Sequence, residues 1–337
     1  MYCPEFPAEF AFEAILLPHN TLDQKTVPSH SHLWRRAGSV NYRRWRALLC
    51  PALFLAGLFL AGYPARAQEP PYFVTYSHAM EEPDNLEIDF KGTQGAPKFG
   101  NSFAGGTLEL EYGARAWWTT EVYLSGQTTA NDSTIFTGFR WENRFRPLLE
   151  EHWINPVFYV EYEDDNLADR SFLEITGHQS KQDLLISNAA ARQEIEREME
   201  MKLILSSNAK GWNFSGNFIT EKDLNEPEPW EFGYALGTSR PLSLKASSRR
   251  CTFCPENFSA GLELYGGLGD TDGFGLKQTS HYLGPNLQWN LSKGPSISFS
   301  PNFGLNDNSL PVLYRVSVSY EIQQLTGRFR HSKGGPR

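Results

Sequence analysis

The fold is decided by the stretch IEREMEMKLILSS, residues 195–207, in which Met199, Met201, Leu203 and Leu205 fall at every second position, with Glu198, Glu200 and Lys202 between them. These are good helix formers. A helix, however, buries side chains three and four apart, whereas a period of two puts one kind of side chain on each face of a strand. Helix propensity is a weak prior that tertiary context overrides, so the periodicity assigns a strand. What each face of that strand meets is then the functional question.

The same alternation recurs along the chain in segments of about ten residues bounded by Gly, Pro, Asn or Asp, the pattern of a transmembrane barrel. Strands are expected at 84–91, 104–113, 115–125, 133–145, 153–163, 196–207, 210–221, 229–239, 257–267, 280–291, 295–304 and 311–322. Twelve is an even number, and a lone PYFVTYSH at 71–78 could supply half of an extra hairpin, giving fourteen, or a periplasmic lead-in. Joints after even strands, such as YGAR (112–115), SNAKG (207–211) and LSKGP (291–295), are tight, apart from two longer ones, RPLLEEH (146–152) and residues 240–256, and those after odd strands are longer and polar. Short turns at one end and long loops at the other fit a barrel with its turns in the periplasm.

One face of each strand is nearly free of charge, for example Leu108, Leu110 and Tyr112; Ile135, Phe139 and Trp141; Phe158, Val160 and Tyr162; and Tyr314, Val316, Val318 and Tyr320. A lipid-facing Arg or Lys costs about 2–4 kcal/mol at the bilayer midplane, which explains a clean face. Trp118, Trp141, Trp212 and Trp289 fall toward the periplasmic strand ends and Trp230 toward the outer rim, as an aromatic girdle requires. The rival reading is a secreted β-sandwich or propeller with these rings in its core, although strands of ten residues are long for such domains.

The opposite face carries Glu109, Glu111, Glu121, Glu142, Glu161, Glu163, Glu198, Glu200, Glu221, Glu231 and Glu263 against Arg140, Arg144, Lys202 and Arg315. An acidic, wet wall concentrates cations. The alternative is a barrel filled by its own ion pairs; Arg140, Glu142 and Arg144, between strands bearing Glu121 and Glu161, are expected to pair locally.

Composition agrees with many strands and turns: 337 residues, 40% hydrophobic, 14% aromatic, 28 Gly and 21 Pro, with a mean hydropathy of −0.45 that argues against a bundle of membrane helices. The apolar run ALLCPALFLAGLFLAGY (47–63), after Arg43, Arg44 and Arg46 and before Ala65-Arg66-Ala67, reads as the core of a secretory signal spanning 40–67, with a retained single-span anchor as the rival. Residues 1–39 would then be an over-extended N-terminus. Cleavage after Ala67 removes seven of 31 basic and four of 39 acidic residues, leaving a net charge of about −11, which disfavours nucleic acid. Domain order is then a lead-in at 68–83, the barrel at 84–322 and a tail at 323–337.

The leader together with TLELEYGARAWWTTEVYLSG (107–126) and STIFTGFRWENRFRPLLEEHWINPVFYVEYED (133–164) resembles uncharacterised outer-membrane β-barrel proteins of the porin or transporter type. The resemblance covers most of residues 70–322. It implies a bacterial outer-membrane location and carries no catalytic motif. Expected partners are outer-membrane lipids, small hydrophilic solutes or cations, and the barrel-assembly machinery; no cofactor or metal is expected.

Chemical motifs are sparse. Twelve-stranded barrels include an outer-membrane phospholipase, but Ser280 and His281, with Asn286 or Asp272 near in sequence, would point to opposite faces of a strand. Cys251 and Cys254 in CTFC read as a small structural disulfide rather than a redox pair. GDTDGFG (269–275) starts like a calcium loop but has His281 where the twelfth-position Glu belongs. The expected function is a narrow, acidic-walled channel biased to cations, with a closed structural or adhesive barrel and a lipid hydrolase as alternatives.

Overall fold

The computed structural model describes residues 70–170, 183–245, 251–291 and 294–327. The secretory signal expected at 40–67 and the extension expected at 1–39 lie outside the described residues. Twelve antiparallel strands close into one barrel in which each pairs with its sequence neighbours and the first pairs with the last. They are β1 (Leu86–Gly95), β2 (Phe103–Arg115), β3 (Trp118–Thr129), β4 (Thr134–Phe145), β5 (Asn155–Asn166), β6 (Ile195–Ala209), β7 (Trp212–Asp223), β8 (Glu231–Pro241), β9 (Phe258–Asp270), β10 (His281–Asn290), β11 (Ser296–Gly304) and β12 (Val312–Ile322). Closure removes the unpaired edge that neither lipid nor water-soluble neighbours tolerate well.

The opening stretch is β6. Leu203 is 40% and Leu205 44% exposed on its outer face, while Glu200, Lys202, Ile204 and Ser206 are buried on the inner one. The inversion recurs around the barrel: large apolar side chains such as Phe139, Phe158, Phe218, Leu262, Phe299 and Val316 point outward, and most charged or hydroxylated ones point inward. Solvent-exposed apolar belts of this size are not stable in water. Strands of this length, tilted near 45°, match a hydrocarbon core about 30 Å thick. An even-numbered closed barrel with such a belt is the architecture of the bacterial outer membrane, and it places the chain there.

Local chemistry sets the turns. Lys210 (φ 52°) and Gly211 (φ 83°) form the two-residue β6–β7 loop, both in the left-handed region that a tight hairpin of matching twist requires. The β3–β4 pairing shifts between Ser125 and Gly126, opposite an extra residue, Thr137. This bulge corrects one expectation: Ile135 is turned to the inner register opposite Gln127, and Phe136 takes the outward place.

The larger correction concerns residues 70–83. They form neither a hairpin nor a lead-in outside the barrel. The chain leaves the periplasmic end of β1 at Asn85, runs into the lumen, turns near Val74 and returns to the periplasmic mouth at Pro70. Val74 packs there with Phe103, Ile219, Ala235, Tyr265, Tyr282, Leu310 and Leu313, an inward-facing apolar cluster that Phe73 and Leu184 also cover. The tail begins by folding back on the periplasmic rim, where Thr326 donates to Asp84 and holds that carboxyl below its ordinary range.

Candidate functional site: the acidic lumen

Register turns the inward carboxylates into a staircase. Glu321, Glu87, Glu111, Glu121, Glu142, Glu161, Glu200, Glu221, Glu231 and Asp270 are successive cross-strand partners from β12 through β1 to β9. The row starts at the periplasmic ends of β12 and β1 and finishes at the outer ends of β8 and β9. It climbs because strand stagger carries any row of directly paired residues along the barrel axis. Like charges directly opposite are destabilising, so ten in sequence require compensation.

Flanking rows supply the bases. Arg144 pairs with Glu111, Glu121 and Glu142; Arg140 pairs with Glu161 at 3.4 Å; and Lys202 pairs with Glu200 at 2.7 Å. Lys91 on β1 pairs with Glu109. Three tyrosines fill the spaces between them: Tyr123 donates to Glu121 and Glu142, Tyr76 donates to Glu142 at 2.9 Å, and the Lys202 ammonium lies 4.1 Å from the Tyr159 ring centre.

All the expected wall residues face inward. Glu109, Glu111, Glu121, Arg140, Glu142, Arg144, Glu161, Glu200, Lys202, Glu263 and Arg315 are buried, while Glu163 and Glu198 are half-buried nearer the outer end. They do not form one site. Glu263 and Arg315 stand apart on β9 and β12; Arg315 is 5.8 Å from the Tyr265 ring centre. Lys91, Asp89 and Asp165 were missing from the sequence reading. Asp89 and Lys91 lie within the expected strand at 84–91, where they alternate with Ile88 and Phe90, whereas the expected strand at 153–163 stopped short of Asp165.

Glu109, Glu111 and Glu121 bring ligand atoms within 4.8 Å of one another, as do Glu161, Glu163 and Glu200. Each group contains carboxylates already paired with Lys91, Arg144, Arg140 or Lys202. The geometry therefore reads as a mixed-charge wall.

Open space runs beside the inserted segment. A cavity of about 510 Å³ at the periplasmic mouth is lined by His78, Arg146, Asn208, Trp212, Asn213 and Gln288 among others. A narrower one of about 120 Å³ continues inward past Ser298, Ser317 and Ser319 to Asp89, Lys91 and Glu109. The apolar cluster around Val74 lies beyond. On the outer side the described parts of the β5–β6 loop fold over the mouth, with Asn188 bonded to Thr129 and Ser133, and Arg170 and Ala168 bonded to Gln127.

The remaining motifs resolve simply. The His281 ring meets Tyr234, Thr279 and the Leu276 carbonyl, not Ser280. His78 lies between Ser206 at 2.8 Å and Glu151 at 2.9 Å, which looks like a hydrolytic triad. Ser206, however, is buried and its hydroxyl is shared with Ser215 and Asn213, so no substrate carbonyl reaches it. The contact is a latch. Asp270 accepts from the Asp272 and Gly273 amides in a turn, which uses the carboxylate locally. Cys251 and Cys254 are disulfide-bonded, and Phe253 between them stacks on Trp289 at 4.8 Å. Trp141, Trp212 and Trp230 are exposed, and Trp118 and Trp289 half-buried, on the outer surface.

Burial pushes the His78 ring below its ordinary value of 6.5, opposed by the Glu151 carboxylate and reinforced by Arg146. The folded protein therefore binds fewer protons at this ring than the unfolded chain. Its stability is full above about pH 6.5 and falls as pH drops through 6.5 toward the lowered value. Wild type is expected to lose more thermal stability than His78→Gln between pH 7.5 and pH 5; equal losses would show that the titration of His78 is not coupled to folding.

No family model matches the chain, and no curated protein sequence matches it. Among solved structures, the chain is similar to an outer-membrane channel from Pseudomonas putida F1, at 10% identity and a TM-score of 0.44 over 72% of this chain and 96% of that one. It is also similar to the NanC porin (12% identity, TM-score 0.42, 70% of this chain and 100% of that one) and to the KdgM porin (8%, 0.40, 69% and 98%). Identities and scores this low transfer no residue role, so function has to be argued from this chain's own wall.

Proposed function

We propose that the barrel is a narrow outer-membrane channel for small hydrophilic solutes, biased toward cations. The carrying observation is the carboxylate staircase, which climbs from the periplasmic to the outer end of the barrel. A row of this kind offers a cation a succession of closely spaced attractive positions, which is what conduction by weak multi-site binding needs. The serine-lined crevice beside it supplies hydroxyls in place of lost hydration.

Planar-bilayer recording of the purified protein tests this reading. Discrete current steps are expected, with reversal potentials in a salt gradient on the cation-selective side. Glu109→Gln combined with Glu161→Gln should shift them toward zero, because Lys91 and Arg140 then lose their counter-charges. Unchanged reversal potentials would count against the acidic wall, and silence at every voltage would favour the second reading.

That second reading is a closed structural barrel. It is favoured by the segment around Val74, which occupies the middle of the lumen.

A further inference from the structure

The lumen contains a built seat for a peptide turn. Glu263 is wholly buried on β9, and its two oxygens accept three consecutive backbone N–H groups, from Phe73 at 3.0 Å, Val74 at 3.0 Å and Thr75 at 2.7 Å. Asn286 donates to the same carboxylate at 2.7 Å and is itself held by Ser300, so the acceptor is aimed before the peptide arrives. Asn217 grips the next residue by both backbone groups: it accepts from the Tyr76 N–H at 2.6 Å and donates to the Tyr76 carbonyl at 3.0 Å.

The wall is cut away to admit this backbone. The cross-strand neighbours of Glu263 are Gly237 and Gly284. A Cβ at Gly237 would stand 2.7 Å from the Tyr72 ring and 3.0 Å from the Thr75 methyl. Recognition is through main chain and shape, so the ligand class is a peptide turn with its two flanking limbs, and residues 70–82 are its occupant. Both limbs of the occupant lie at the periplasmic mouth: one is held by His78 to Ser206 and Glu151, and the other reaches Pro70, the first described residue, beside Pro241 and Asn213. Among the described residues neither limb passes through the wall, so withdrawal toward the periplasm breaks hydrogen bonds, apolar contacts, the His78–Glu151 pair and the Arg144 and Lys202 contacts with the Tyr76 ring.

We propose that residues 70–82 are a releasable plug, seated by the Glu263 carboxylate and the Asn217 amide, whose withdrawal into the periplasm opens the lumen. The gating half of this inference rests on the channel reading above; the seat does not. Once the plug leaves, Glu263 and Asn217 face an aqueous path continuous with the serine-lined crevice. The apolar cluster loses Val74 at its centre.

Two measurements on the full chain separate seat from gate. Amide hydrogen exchange should show Phe73, Val74, Thr75 and Tyr76 protected, with exchange about tenfold faster in Glu263→Gln, where a neutral amide replaces an acceptor of three donors. Gly237→Ala, which wedges Tyr72, should act in the same direction. For the gate, His78→Cys with Ser206→Cys, in a Cys251→Ser and Cys254→Ser background, is oxidised to tie the plug down. Bilayer current should vanish on oxidation and return on reduction, and Glu263→Gln should open about tenfold more often than wild type. Unprotected amides in the wild type, or protection indifferent to both Glu263→Gln and Gly237→Ala, would overturn the seat. Equal currents from oxidised and reduced protein would overturn the gate. Silence of all forms with the exchange pattern intact would refute the channel reading and leave the seat supported.

Discussion

Val316→Arg is expected to destabilise the folded barrel by about 2–4 kcal/mol, whereas Ser317→Lys, one residue along the same strand, should cost about 1 kcal/mol or less. Val316 lies in the middle of β12, 43% exposed and opposite Phe299 on the apolar belt. An arginine there sits near the midplane of the hydrocarbon. Ser317 points inward beside the 120 Å³ cavity, with its hydroxyl donating to Asp89. A lysine at that position loses those bonds but faces the Asp89 carboxylate. Reversible urea unfolding from lipid vesicles measures both. Similar losses from the two substitutions would mean that the outer face does not meet lipid.

The second large effect belongs to Arg144. Its guanidinium serves Glu111, Glu121 and Glu142 together and lies 5.3 Å from the Tyr76 ring centre of the inserted segment. Removing one partner of a buried ion pair leaves an uncompensated charge and costs about 3–5 kcal/mol. Arg144→Ala should therefore fall in that range, with three carboxylates left facing one another. Arg144→Lys should recover only part of the loss, since an ammonium lacks the planar fork that engages several carboxylates at once. Adding Glu121→Gln and Glu142→Gln to Arg144→Ala should recover more than Arg144→Lys does. A loss under about 1 kcal/mol for Arg144→Ala would show that the carboxylates do not depend on this base.

The wall was legible in the sequence because side-chain alternation is local. Met199, Met201 and Leu203 announce one face and Glu198, Glu200 and Lys202 the other without any knowledge of neighbouring strands. The staircase was not legible. It depends on which residue of β5 faces Glu200, and register is set by turn length and bulges that alternation does not report. Thr137 illustrates the limit: one extra residue moves Ile135 and Phe136 to opposite faces, and nothing in TIFTG marks the site beyond its glycine.

The plug escaped for a different reason. PYFVTYSH has the composition of a strand, but its partners Asn217 and Glu263 lie more than a hundred residues away and bind its backbone, which has no sequence signature. The available hint was Glu263 itself, an inward carboxylate in the middle of β9 among glycines, with no base beside it in sequence.

Because the whole account depends on which medium touches each face of β6, nitroxide labels placed singly from Arg197 to Ser207 provide its most direct test. In lipid vesicles, collision with dissolved oxygen should peak at 199, 201, 203 and 205 and dip between them. A water-soluble nickel complex should reach none of the four. Oxygen accessibility without a two-residue period, or free access of the nickel complex to 201 and 203, would contradict a barrel whose methionines and leucines face hydrocarbon.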